Sequence, residues 1–170
     1  MSLLGQETTA LPILNERELA QVATLWKRTS RELVTRFIGS SMNPTIPSES
    51  EVVLRCGSAV RDGDIVAYCR GDQLIVHRVV VLSRDGRWLI ARGDALLTPD
   101  PALVPVESLV GTIVAVKREG AFAEPGPSPR SRPIALILDG VCRALVRSSL
   151  PRSVVQRCLL GLTYLKRRFS

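Results

Sequence analysis

The chain's single histidine, His77, lies in the apolar run LIVHRVVVL. Alternation along an extended strand puts Ile75, His77, Val79 and Val81 on one face and Leu74, Val76, Arg78 and Val80 on the other. Histidine is the side chain best suited to take a proton from a hydroxyl near neutral pH, although a lone histidine among apolar residues is more often structural. Candidate hydroxyls stand in the segment GSSMNPTI, where Ser40 and Ser41 follow Gly39. A junction between a helix and a strand can present a nucleophile beside free backbone N–H groups, and Ser-Ser before Asn-Pro is equally ordinary turn chemistry. The four cysteines, Cys56, Cys69, Cys142 and Cys158, have neither CxxC pairing nor metal-ligand spacing. They read as reduced, mostly buried thiols, so no metal site and no cofactor is expected.

The order of the segments changes the weight of these residues. GSSMNPTI at 39–46, RDGDIVAY at 61–68, VHRVV at 76–80 and RGDALLTPD at 92–100 follow one another at set spacing. Together they resemble the type I signal peptidase family, and in detail its endoplasmic-reticulum and archaeal-like branch. The resemblance covers residues 39–116. It implies Ser41 as nucleophile, His77 as its general base, and Asp100, six residues after Asp94, as the acid that orients the base. Asp94 would be a second, supporting carboxylate, and Met42 would line a pocket for a small residue beside the scissile bond. Gly39 stands where many relatives have a serine that donates to the oxyanion, and Ser40 carries the extra hydroxyl; the Ser41 N–H is the first candidate donor. Both the bacterial branch and the LexA-type self-cleaving repressors use a lysine base. The three lysines here are Lys27, Lys117 and Lys166, none between residues 28 and 116. The expected activity is therefore Ser-His-Asp hydrolysis of a leader or precursor peptide bond after small residues, through an acyl-enzyme. The rivals are a non-catalytic peptide-binding module on the same fold and a self-cleaving LexA-like regulator.

To position these groups, residues 1–38 are read as an N-terminal segment with an amphipathic helix over 14–38, its apolar residues recurring near a 3.6 period. Short β-branched runs from Glu51 to Val116, separated by polar turns, predict an antiparallel β domain over 39–118. A Pro/Gly-rich linker at 119–133 leads into a helical extension, 134–170. The fold class is mainly β, a signal-peptidase/LexA-like antiparallel domain with helices at both ends.

Net charge divides along the same lines. Residues 1–40 sum to +1, 41–118 to zero and 119–170 to +6. The neutral core would hold the chemistry and the tail the charge. Asp139, Arg143 and Arg147 recur every fourth residue and are expected on one helical face. A basic amphipathic helix suits packing on the β domain, on a partner, or peripherally on an anionic membrane. Seven aromatics and no reader motif leave nucleic acid unexpected as a partner. No run approaches the roughly 20 apolar residues of a membrane span, and the N-terminus lacks a basic n-region, so the expected compartment is the cytoplasm, with peripheral membrane contact through the tail. The expected partner is a peptide or precursor-protein substrate.

Overall fold

Alternating β-branched and polar residues over 51–118 do become strands, because each can bury one face while its backbone pairs with a neighbour. The computed structural model describes residues 16–29, 31–129, 133–148 and 150–168. Helix α1 (Glu16–Thr29) precedes strands β1 (Glu32–Arg36), β2 (Glu51–Cys56), β3 (Ile65–Arg70), β4 (Gln73–Leu82), β5 (Trp88–Arg92), β6 (Val104–Pro105), β7 (Leu109–Arg118) and β8 (Ala121–Ala123). Two helices follow, α2 (Pro133–Arg147) and α3 (Arg152–Arg168). The strands form one antiparallel sheet in the order β1-β2-β7-β3-β4-β5-β6, with β8 paired to β7.

The helix expected over 14–38 is shorter than its periodicity suggested. It ends at Thr29, and Glu32–Arg36 is the edge strand β1, paired with β2 from Glu32↔Arg55 to Arg36↔Glu51. Leu33, Val34 and Thr35 fit a 3.6 period as well as a 2.0 period over so short a run, and the strand wins because β2 offers its backbone edge. Likewise Ala121–Ala123, in the predicted linker, adds three residues of strand beside β7.

Strand β5 explains how the helical extension belongs to the sheet. Every residue from Trp88 to Arg92 is buried. Leu89 and Ala91 pack with Val66, Tyr68 and Val79 on one face. On the other, Trp88 and Ile90 pack with Val80 and Val81 against Cys142 and Val146 of α2 and Val155 and Leu159 of α3. Val80 and Val81 both join that cluster because the β4–β5 register shifts between Val79 and Val81, which breaks strict alternation. The face of α2 that carries Asp139 and Arg143 turns toward the sheet rather than to solvent: Asp139 is buried with Ala135, Cys142 and Val146, the more exposed Arg143 donates from Nε to Val80 O at 3.1 Å, and Arg147 is exposed. Burial also accounts for the Cys142 thiol, which desolvation first and the Asp139 charge second push up to about 11.

Candidate active site

The site is built where β4, the loop after β1 and the turn after β5 meet. The β3–β4 register pairs Val66 with His77. His77 is buried, and its Nδ1 lies 2.9 Å from Oδ2 of the buried Asp100. An ionised carboxylate only accepts, so Nδ1 donates and Nε2 is left as the basic nitrogen of the neutral ring. Asp100, not Asp94, is thus the carboxylate on the histidine, and its own N–H is anchored to Ala91 O at 2.8 Å.

Asp100 Oδ2 also accepts from the Tyr68 hydroxyl and lies 3.3 Å from Arg70 Nη2. Arg70 Nη2 in turn donates to the Tyr68 oxygen at 3.1 Å, with its guanidinium 5.4 Å from the Tyr68 ring centre. Burial works to raise the Asp100 carboxyl, but the hydrogen bond and charge of His77, then Tyr68 and Arg70, outweigh it and hold Asp100 below the usual carboxylate range. Burial, with the Asp100 charge behind it, pushes the Tyr68 phenol far above the ordinary tyrosine range, so it remains an O–H donor. Neither Tyr68 nor Arg70 was singled out from the sequence. Their signal lies in register: residues 66, 68 and 70 alternate along β3 beside His77.

Ser41 sits half-buried in the loop 37–50, whose ends are closed by Phe37 N–H to Ser50 O and Glu49 N–H to Phe37 O, both 2.8 Å. The Ser41 carbonyl accepts from Ala95 N–H at 2.8 Å. Gly93 lies between serine and histidine: a Cβ there would stand 2.5 Å from Ser41 O and 3.1 Å from His77 Nε2. Only a residue without a side chain lets the Ser41 backbone and the free ring nitrogen close over this point. The Ser41 hydroxyl itself makes no hydrogen bond among the described residues, to His77 or to any other group, and its N–H is likewise free.

Asp94 is fully buried and has a different task. It takes a two-pronged bond from Arg78, with Nε at 2.9 Å and Nη2 at 2.8 Å, and a 2.5 Å bond from the Thr45 hydroxyl. It therefore ties the Ser41 loop to β4 without touching His77. Met42, expected to line a substrate pocket, is instead fully buried with Phe37, Ile46 and Ile65 in the core; an apolar side chain flanked by Phe37 and Ile46 gains more from that cluster than from the surface. Ser40 is exposed and Gly39 half-buried beside it. Lys27 donates to Glu107 O and Lys117 to Glu51, so neither is engaged with Ser41.

A family model for Peptidase S24-like proteins matches residues 3–101, more than half the chain. The chain belongs to the Peptidase S24-like family. That membership accords with the antiparallel sheet and supports serine peptidase chemistry within the LexA/signal peptidase superfamily. The Peptidase S24-like match ends one residue past Asp100, before the helical extension. Compared with curated proteins, the chain has no significant match. Among the described residues no helix is long and apolar enough to cross a membrane.

Proposed function

We propose that this chain is a serine endopeptidase of signal-peptidase type, cleaving a leader or precursor peptide after small residues with Ser41, His77 and Asp100. The buried His77–Asp100 pair, with the other ring nitrogen turned to Gly93 beside the Ser41 backbone, carries the reading. Ser41 Oγ attacks the peptide carbonyl carbon while His77 Nε2 takes its proton. The carbonyl oxygen becomes an oxyanion, and the free Ser41 N–H is the first donor to it. His77 then passes the proton to the leaving amine, giving an ester on Ser41. Water, deprotonated by His77, hydrolyses that ester and restores the serine. Asp100 holds the tautomer and stabilises the imidazolium throughout.

The Peptidase S24-like membership itself favours a second reading, a self-cleaving regulator. Peptides bearing Ala-x-Ala sites, offered to the wild-type chain and to Ser41→Ala and His77→Ala, separate the two. Cleavage in trans lost in both variants supports the peptidase. Concentration-independent cleavage of the chain itself, lost in Ser41→Ala, marks the regulator, and no cleavage at all marks a non-catalytic peptide-binding module.

The proposed meeting place is an anionic membrane surface. Residues 133–168 carry seven basic residues and one acid, Asp139, which faces inward. The outer faces of α2 and α3 expose Ile134, Ile137, Val141, Leu160 and Tyr164. Apolar and cationic groups without exposed acid suit anionic lipid headgroups over an acyl boundary.

A further inference from the structure

The turn that joins Ser41 to His77 is held from outside the family-matched region. Strand register sets Arg78 opposite Arg92 on neighbouring strands, an arrangement that repels unless each cation has its own anion. Asp94 serves Arg78. Asp139, from α2, serves Arg92 through a two-pronged buried bond, Nε to Oδ1 at 3.0 Å and Nη2 to Oδ2 at 2.9 Å. The remaining arm of Arg92, Nη1, donates to Gly93 O at 3.3 Å and Leu96 O at 2.8 Å. Those carbonyls bound the turn whose Ala95 N–H grips Ser41 O and whose Gly93 abuts His77 Nε2.

Helix α3 braces the other end of the same loop. Gln156 donates from Nε2 to Pro101 O at 2.7 Å and accepts from Leu103 N–H at Oε1, 3.0 Å. Pro101 is the residue after Asp100. The loop carrying Asp94 and Asp100 is therefore clamped near both ends by side chains of the C-terminal helices.

We propose that the C-terminal helices are a brace for the active-site loop, with Asp139, acting through Arg92, and Gln156 as positioning residues for Ser41, His77 and Asp100. The proposal rests on the serine peptidase reading for its consequence in rate, and on geometry alone for its consequence at His77. Neither residue touches the reacting atoms. Loss of either lets the loop shift, and displacement of about 1 Å in such a site costs up to about a hundredfold in rate.

The test uses the full chain and a fluorophosphonate probe that phosphonylates an activated serine, with the labelling rate of Ser41 read by mass spectrometry. The Hε1 line of His77, the chain's only histidine, is followed by proton NMR. Asp139→Asn and Gln156→Ala are each expected to slow labelling about tenfold or more and to move the His77 line, with Asp139→Glu restoring part of the rate. The double variant Arg92→Leu/Asp139→Leu keeps α2 docked by apolar contact but removes the grip on Gly93 and Leu96, so it should remain slow while melting near the wild type. Wild-type labelling and an unmoved His77 line in that variant and in Gln156→Ala would overturn the proposal. A wild-type chain that never labels would sink the peptidase reading, and the His77 line would then judge the brace by itself.

Discussion

At the scale of residues, one oxygen of Asp100 gathers Tyr68, His77 and Arg70. Asp100→Asn should lower kcat/KM by about 10³–10⁴, because an amide can donate to Nδ1 and select the wrong tautomer. The same variant changes acid stability. The Asp100 carboxyl lies below its ordinary value in the folded chain, so its stabilising contribution is present above about pH 4 and is lost as pH falls through the lower folded value. Urea midpoints measured from pH 6 to pH 2 should therefore fall more steeply in the wild type than in Asp100→Asn; parallel curves would contradict this. Tyr68→Phe, which removes one donor to that carboxylate, should cost about ten- to a hundredfold in kcat/KM, in line with the roughly 1.5–3 kcal/mol of a hydrogen bond to a charged group. Ser41, His77 and Asp100 were picked out in the sequence by the resemblance of four ordered segments to type I signal peptidases. Tyr68 and Arg70 were not, since their role depends on the register that sets Val66 against His77.

Elements decide whether those residues meet. The turn after β5 fits between Ser41 O and His77 Nε2 only at Gly93, so Gly93→Ala must displace backbone rather than a flexible side-chain end. Its kcat/KM should fall by about a hundredfold, while the variant retains the β-sheet circular dichroism of the wild type. The strands β2 to β5 and β7 were readable because their apolar runs are bounded by turn residues. Strand β1 was not, because five residues cannot distinguish helical from extended periodicity once detached from their partner β2. The burial of Asp139 was hidden for a related reason: spacing on a helix tells which residues share a face, and only the buried Arg92 opposite tells which way that face turns.

For the whole molecule, the +6 tail is less separate than its charge suggests. Trp88 and Ile90 pack against it, and returning such side chains to water costs about 1.5–3 kcal/mol each. Membrane contact is best tested without truncation for that reason. Ile134→Asp/Ile137→Asp replaces two exposed side chains, 59% and 65% accessible, and leaves the inward face intact. The full chain should co-sediment with vesicles containing phosphatidylserine and not with purely zwitterionic ones, and the double variant should bind at least about tenfold more weakly. Equal sedimentation of variant and wild type would exclude those faces as the contact.

The central claim is that Ser41 is made nucleophilic by His77 and Asp100. The most direct measurement is the intact mass of the full chain after exposure to a fluorophosphonate at neutral pH, with the modified residue located by peptide mapping. A single adduct on Ser41, absent in Ser41→Ala and slowed by about 10³ or more in His77→Ala, is the predicted result. An adduct elsewhere, or labelling of Ser41 that is indifferent to the loss of His77, would contradict it.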